Sequence, residues 1–528
     1  MKFWTALLLA LAMGGGISSP THAKWYEASS DHFVIYADDS EKDIRRFAEN
    51  LERYHSAMEF LTGRDLAKPS PSNRVTIFVV GNQREVRRLA GGNNRRVAGF
   101  YIPRASGSIA FVQDIRFKSG YPDFSTVILL HEYAHHFLMS STPYGMPRWL
   151  NEGAAEFFAA TTFKSDGGVL IGRPALHRAN DFDYADKVSV KELFDEELYE
   201  KNKGRRYDAF YAQSWLLYHY LTFTPERSGQ LNAYQIALIN GTPSPQAAAE
   251  AFGEIGKLQT NLRAYLRQRR MFTFDLTPDR ISIGPVSLRE LPRGEAEMMD
   301  VRIRSQRGVN REQAEELLIE AREIAAYYPN DPGAQTVLAE AEFDAGNNAE
   351  AIAAADRALA ADPTRTNAHV QKGYALFRIA GDAETADQDA AFGRAMAAFS
   401  ELNRLENDHP LPLIYYYRSY TERGKTPPEN ARHALERASQ LAPFDHNLAM
   451  QAAFMQAMEG KIALATHTLK PVAANPHGGK RAEHAQNLIT AMADATEGEA
   501  FRMPERAVPL VRVVVPDPDN GDEDSGAD

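Results

Sequence analysis

The amino-acid sequence predicts a two-part fold: an α+β region with a small mixed sheet and several helices, followed by an all-α region of helical repeats. Strand and helix patterns alternate from residue 24 to about 117, and helical periodicity takes over from Ser125. From about residue 310 the chain is alanine-rich, with prolines at near-regular intervals. Its 528 residues are too many for one ordinary domain, and a hydrophobic content of 44% is enough to bury full cores.

Net charge and cysteine content narrow the function classes. The formal net charge is −11, so the chain lacks the basic footprint of a protein that binds nucleic acid or an anionic membrane surface. The sequence contains no cysteine. Any metal site must therefore be built from histidine, aspartate and glutamate.

The N-terminus has the pattern of a secretory signal peptide at residues 1–23. Lys2 precedes the apolar run ALLLALAM, which is too short to cross a bilayer, and Thr21-His22-Ala23 supplies small residues for cleavage before Lys24. An uncleaved N-terminal anchor is the alternative. We expect a periplasmic or secreted protein without a lipoprotein cysteine and without a transmembrane segment in the mature chain.

Within the α+β region, predicted for residues 24–272, each element follows from its apolar spacing. Strands are predicted at 32–37, 74–80, 97–102 and 108–112. Helices are predicted at 41–62, 125–140, 147–163, 189–200, 207–223, 230–240, 244–252 and 256–272. The proline-containing stretch 273–305 is interpreted as a connecting segment.

Residues 306–495 are predicted to form tetratricopeptide-like repeats. The segment from Val337 to Pro363 resembles that repeat, and three of four proline intervals lie near its 34-residue period. The intervals of 31, 47, 33 and 33 separate Pro332, Pro363, Pro410, Pro443 and Pro476. The long interval predicts an insertion around 380–391, and an irregular helical bundle is the alternative. Residues 496–528 are predicted to be a disordered acidic tail.

The pentapeptide HEYAH carries the strongest functional prediction. His131 and His135 are four residues apart, so both imidazoles leave the same helical face and suit one zinc ion. Glu132 lies between them, where it can reach water at the metal without binding the metal itself. A histidine-rich surface helix is the alternative for this pentapeptide alone.

The following predicted helix offers a third ligand. Glu152, in WLNEGAAEF, lies 17 residues after His135, and Glu156 lies on the same face one turn later. A catalytic zinc needs three protein ligands and one open position, and a ligating imidazole usually donates its other N–H to a carboxylate. The alternatives are a glutamate placed by the helix dipole and a solvated surface glutamate.

Together HEYAH and WLNEGAAEF resemble the gluzincin metallopeptidases, here in the form found in exported bacterial proteins, over roughly the α+β region. The resemblance implies a zincin-like fold that holds Zn²⁺ through His131, His135 and Glu152. It also implies that Glu132 is the general base and that Glu156 supports a ligating histidine. The 17-residue step is shorter than in the large enzyme groups of this class, and no Gly-Ala-Met-Glu-Asn element is present. Recognition of a free peptide N-terminus is therefore not expected.

Two further features are predicted to serve substrate. Tyr211 is the candidate for stabilising an oxyanion, with Tyr207 behind it, and packing of both in the core is the alternative. The strand at 107–112 comes just before the site helix, and the resemblance implies that it is an edge strand that pairs with an extended peptide.

The sequence therefore predicts an exported zinc endopeptidase whose repeats recruit a protein substrate or partner. The main alternative is a catalytically silent adaptor or chaperone-like protein in which the repeats do the binding. A zinc hydrolase acting on non-peptide amides is a third possibility, although no wall-binding module accompanies the site.

Overall fold

The computed structural model describes residues 24–91, 97–115, 120–142, 144–204, 206–384, 386–475 and 477–501. The predicted signal peptide and most of the predicted acidic tail lie outside these residues. No helix within the described ranges is both long and apolar enough to cross a membrane.

The α+β region is built on a mixed sheet with the strand order β4-β5-β3-β2-β1-β9. Within this sheet, β3 runs parallel to both β2 and β5. β1 pairs antiparallel with β2 and with β9, and β4 pairs antiparallel with β5. A second sheet has the order β6-β7-β8. The strands are β1 (Tyr26–Ser29), β2 (Phe33–Ala37), β3 (Val75–Val79), β4 (Gly99–Ile102), β5 (Ile109–Val112), β6 (Thr162–Phe163), β7 (Val169–Ile171), β8 (Phe274–Leu276) and β9 (Ser287–Glu290).

The helices of this region flank the larger sheet. They are α1 (Glu41–Thr62), α2 (Gln83–Leu89), α3 (Phe124–Ser141), α4 (Arg148–Ala159), α5 (Asp181–Tyr184), α6 (Val190–Phe194), α7 (Glu196–Asn202), α8 (Phe210–Phe223), α9 (Gln230–Ile239), α10 (Ser244–Phe252), α11 (Ile255–Leu266), α12 (Arg293–Glu297) and α13 (Met299–Arg307). The central strands are buried over most of their length, as parallel strands covered on both faces must be. α1 contacts α3, the helix that carries HEYAH: the Tyr54 hydroxyl donates to the Leu130 carbonyl at 2.9 Å.

Four predicted helices differ in extent from the observed ones, and the one predicted at 207–223 begins only at Phe210. The helix predicted to reach residue 163 ends at Ala159, because the chain turns there into β6. The helix predicted at 189–200 is divided into α6 and α7 at Asp195, whose carboxylate accepts from the Leu198 backbone N–H and so begins a new helix. The last helix, predicted to reach residue 272, ends at Leu266.

The stretch 273–305 does more than link two regions. β8 adds to the smaller sheet, and β9 pairs with β1 at the edge of the larger one. α13 then covers the sheet face opposite α1, where Met299 and Ile303 join a cluster with Tyr36, Phe78 and Phe111. The larger sheet therefore gains both its last strand and its second cover from this stretch.

The repeat region is a series of helices that pack as consecutive pairs. They are α14 (Arg311–Tyr327), α15 (Pro332–Asp344), α16 (Asn348–Ala361), α17 (Thr366–Asp382), α18 (Gln388–Leu405), α19 (Pro410–Thr421), α20 (Glu429–Leu441), α21 (His446–Met458), α22 (Ile462–Ala473) and α23 (Gly479–Ala491). Pro332 and Pro410 occupy first helical positions, where a missing N–H costs nothing. The long proline interval corresponds to the pair α17–α18, whose helices have 17 and 18 residues, against 13 and 14 in α15 and α16.

The repeat region packs directly against the α+β region. Ser72 donates through its backbone N–H and hydroxyl to Glu406, at 2.9 and 2.8 Å. Asn73 donates to the Leu441 carbonyl at 2.9 Å. On α3, the His136 ring lies against Phe444, with 4.6 Å between centroids. The repeats therefore lie beside the helix that carries HEYAH.

Candidate metal centre

The three predicted metal-ligating side chains converge between α3 and α4. The Nε2 atoms of His131 and His135 are 2.9 Å apart, and Glu152 Oε2 lies 3.4 Å from each of them. These residues form a group that could hold a metal ion. A tetrahedral zinc ion with ligands at about 2.0–2.1 Å keeps neighbouring ligand atoms roughly 3.3 Å apart, which is close to the observed triangle.

The hydrogen bonds behind the imidazoles define which ring nitrogens are free. His135 Nδ1 lies 3.1 Å from Asn151 Oδ1, and His131 Nδ1 lies 3.4 Å from Glu156 Oε1. If each Nδ1–H donates to its oxygen, both Nε2 atoms keep a bare lone pair. Two such lone pairs facing each other at 2.9 Å repel unless a cation lies between them. The donor set therefore fits a metal ion.

The carboxylate of Glu152 supports the same conclusion. Its side chain is fully buried, and neither oxygen accepts a hydrogen bond of good geometry within the described residues. Burial raises the pKa of Glu152, but the charges of His135 and His477 outweigh burial and hold that pKa well below its usual range. A buried, ionised carboxylate without hydrogen-bond donors is costly unless a cation neutralises it.

His131 also indicates a site that attracts positive charge. Burial lowers its pKa, yet the adjacent carboxylates of Glu152 and Glu156 outweigh burial and raise the pKa to about 10. The cluster therefore holds even a single proton tightly. A divalent cation would meet the same demand more fully.

Glu156 belongs to a buried network that the sequence did not predict. Its Oε1 accepts from Arg178 Nε and Nη2 at 2.9 and 2.8 Å, and its Oε2 lies 2.5 Å from His177 Nε2. His177 and Arg178 come from the short turn after β7. Nothing in the local pattern of that turn marks them as site residues. The network fixes the oxygen that faces His131.

The position of Glu152 depends on its neighbour Gly153. A Cβ atom at Gly153 would lie 2.6 Å from the Ser214 carbonyl oxygen on α8, so only glycine allows this approach of the two helices. α4 is buried along almost its whole length. The segment NEG thus supplies a histidine partner in Asn151, a carboxylate in Glu152 and a close helix contact in Gly153.

Glu132, the predicted base, is partly exposed rather than buried, and it is not a member of the metal-binding group. Its charge acts on His477, whose pKa is raised, and on Tyr101, whose pKa burial also raises. Glu132 is therefore near His477, which itself lies 3.0 Å from Glu152.

The two tyrosine candidates are placed differently. The Tyr211 ring lies 6.4 Å from the His131 ring and under the guanidinium of Arg178, at 4.8 Å. Burial raises the pKa of Tyr211 well above its usual value. Tyr207 donates its hydroxyl to Asp181 at 2.9 Å, so that hydroxyl is already engaged. Of the two, Tyr211 is the one that borders the cluster.

The expectation about the edge strand is wrong for 107–112. β5 pairs on one side with β4 and on the other with β3, so it lies inside the sheet. The terminal strand at that end is β4. The reason is that β4 precedes β5 in the chain and lies outside it, so the hairpin places β5 between β4 and β3, an order that a local alternation pattern cannot reveal.

A residue of the repeat region also reaches the cluster. His477, between α22 and α23, places its Nε2 3.0 Å from Glu152 Oε1, although the angle is not that of a hydrogen bond. Its ring lies 5.7 Å from that of His135. Burial lowers the pKa of His477, but the charge of Glu152 outweighs burial and raises it. No sequence pattern links this histidine to HEYAH.

No protein-family model matches the chain, and a search of curated proteins found no match. Among solved structures, a double mutant titled MamA RS-1 ArsTM is similar, with 19% identity, a TM-score of 0.27, and coverage of 36% of this chain and 98% of that chain. Yeast Tom70 is similar with 13% identity, a TM-score of 0.26, and coverage of 69% of each chain. Similarities of this size carry no argument about fold or function.

Proposed function

We propose that this protein is a zinc-dependent hydrolase of peptide bonds. The observation that supports it most is the triangle formed by His131, His135 and Glu152, three donor atoms of the right chemistry at the right separation. The resemblance of HEYAH and WLNEGAAEF to gluzincins supports a zincin-like assignment. The signal peptide predicted at residues 1–23 supports action in the periplasm or outside the cell.

Each residue then has a defined task. Zinc held by the triangle would lower the pKa of water and polarise a substrate carbonyl. Glu132, which directly follows His131 in α3, accepts the proton of the attacking water and passes it to the leaving amine. Tyr211 donates a hydrogen bond to the developing oxyanion. Asn151 and Glu156 hold the two imidazoles in the tautomer and orientation that zinc binding needs.

The sheet supports a polypeptide substrate. β4 is the terminal strand next to the site and is in contact with α3. An extended peptide could add to such a strand through main-chain hydrogen bonds, which give affinity with little sequence preference. Pairing with an extended peptide, which was predicted for the strand at 107–112, is therefore proposed for β4 at 99–102 instead.

The test compares zinc content and casein cleavage in the wild type with Glu132→Gln and His131→Ala. We expect one bound zinc in the wild type and in Glu132→Gln, with cleavage reduced about 100-fold to 10,000-fold in the latter. His131→Ala should lose zinc. If the wild type binds zinc but never cleaves, even in the opened variants described below, the adaptor alternative replaces the enzyme. If His131→Ala keeps its zinc, the metal site is assigned wrongly.

A further inference from the structure

The candidate metal centre is closed to a polypeptide. The side chains of Glu152, His135 and His131 are 0%, 6% and 11% exposed. A catalytic zinc needs an open position, and a substrate needs a cleft that leads to it. Something in the chain must therefore cover this site in the structure.

The cover is the end of the repeat region. His477 lies against Glu152, and the loop that carries it is held by Asn475, which accepts from the His477 backbone N–H at 3.1 Å. Asn475 also bonds His446 on α21 at 3.0 Å. The histidine is thus placed over the metal cluster by the repeats themselves.

The loop between α3 and α4 is covered by α22, near the end of the repeat region. A Cβ atom at Gly145 would lie 2.7 Å from the Lys470 carbonyl oxygen and 2.9 Å from the Ala474 Cβ. α22 therefore rests on the backbone of the loop that joins the two metal-binding helices. No larger residue fits there while the repeats stay in place.

A second contact docks the loop between β4 and β5 on the repeats. Ala105 is 4% exposed and belongs to a cluster of apolar side chains from α17 to α21, and its backbone N–H donates to Asp445 at 2.9 Å. Arg104 Nη2 is buried there without a hydrogen-bond partner among the described residues, and burial lowers the pKa of Arg104 against the opposing charges of Glu340 and Asp344 on α15. We call Glu340, Asp344, Asp445 and the apolar residues around Ala105 the docking face.

We propose that this protein rests in a closed state, in which the Arg104–Ala105 loop occupies the docking face and the last repeats cover the metal centre. The inference rests on the proposed function for its meaning, because closure controls access of a polypeptide to the zinc. The docking face fits a tight turn with an arginine followed by a small residue, as in the loop itself, where the Gly107 backbone N–H donates to the Arg104 carbonyl at 3.1 Å. A partner with that chemistry competes with the loop, lifts the repeats and opens the site.

The first experiment introduces a side chain between the α3–α4 loop and α22 without changing any residue of the metal cluster. Gly145→Ala and Gly145→Val place a side chain against α22, and Gly393→Ala is the matched control because nothing lies within 4 Å of its Cβ position. We expect zinc loss to excess EDTA to be at least about tenfold faster in the Gly145 variants, equivalent to about 1.4 kcal/mol, and unchanged in the control. Equal rates in the wild type and both Gly145 variants would overturn the closed state.

The second experiment separates this inference from the proposed function. Amide hydrogen exchange of the α3–α4 loop and of residues 470–479 is measured on the metal-free protein. Arg104→Ala should speed exchange in both segments about tenfold, whereas Arg84→Ala, at an exposed position on α2, should not. A wild type that binds no zinc refutes the proposed function, yet this exchange still tests the closure. Unchanged exchange in Arg104→Ala overturns the docking.

A third measurement tests the docking face itself. A fluorescent peptide of residues 101–108 is titrated into the Arg104→Ala protein, whose own loop no longer fills the face. We expect it to bind at least about tenfold more tightly than to the wild type, and more tightly than the same peptide with alanine in place of arginine. Equal binding of both peptides would show that the face does not select arginine.

Discussion

Replacing Glu156 with glutamine tests the buried network behind the metal cluster. Glu156 is fully buried, and one of its oxygens accepts two hydrogen bonds from the Arg178 guanidinium at 2.8 and 2.9 Å. Its other oxygen lies 2.5 Å from His177 Nε2. Glutamine keeps the shape but removes the charge, so a buried arginine loses its carboxylate. Breaking a buried pair from one side costs about 3–5 kcal/mol.

We expect the lower end of that range, about 3 kcal/mol, because the Tyr207 hydroxyl still accepts from Arg178 at 3.1 Å. This loss of stability is measured locally, as the rate of amide hydrogen exchange in α4 of the metal-free protein. A change of that size corresponds to exchange faster by about 100-fold. Zinc affinity should fall as well, by about 10-fold to 100-fold, because His131 loses the oxygen that orients it.

The matched control is Glu49→Gln. That glutamate pairs with Arg53 at 3.1 Å on the partly exposed side of α1, where an ion pair contributes about 0–1 kcal/mol. If Glu156→Gln accelerates exchange no more than Glu49→Gln does, the buried network does not stabilise α4. If exchange rises while zinc affinity is unchanged, Glu156 stabilises the fold without positioning His131.

Three further predictions address the helix contact, the response to acid and the oxyanion. Gly153→Ala should cost about 1–3 kcal/mol and lower zinc affinity, because its Cβ would lie 2.6 Å from the Ser214 carbonyl oxygen; an unchanged melting temperature and affinity would contradict this. Burial raises the pKa of Glu295, but three arginines (Arg365, Arg289 and Arg302) outweigh burial and lower it from 4.5 to about 2. The wild type should therefore lose about 3 kcal/mol as the pH falls from about 4.5 towards 2, and Glu295→Gln should lack this acid limb in urea titrations. Tyr211→Phe should reduce casein cleavage about 100-fold to 1,000-fold with zinc retained, and Tyr207→Phe should have a smaller effect; equal losses would remove Tyr211 as the donor.

Local periodicity was enough to predict most of the longer helices of the α+β region and four strands of the larger sheet, β2 to β5, but it missed β1 and β9. The helix predicted at 125–140 is observed as Phe124–Ser141, and the one predicted at 41–62 is observed at those residues. In both, capping residues and apolar spacing agree over many turns. Prediction failed where a neighbour outside the segment decided the outcome, as at Ala159, where β6 takes over, and in β5, whose place inside the sheet depends on β4.

In the candidate site, too, local spacing predicts some residues, whereas the packing of distant elements places others. The facing positions of His131 and His135 follow from the helical repeat alone, because residues four apart share one face of any α-helix. Glu152 and Glu156 have the same relation on the next helix. By contrast, Asn151 acquires its role only from the orientation of the His135 ring, which depends on how α3 and α4 pack.

The sequence by itself determined which residues could bind a metal and on which helical faces they lie, since covalent geometry dictates short-range spacing. Only the tertiary structure decided that His177 and Arg178 meet Glu156, and that His477 from the repeats lies on Glu152. It also decided that the end of the repeat region lies against the candidate metal centre. Such contacts join residues far apart in the chain, and they depend on the shape and packing of whole surfaces, for which no local pattern exists.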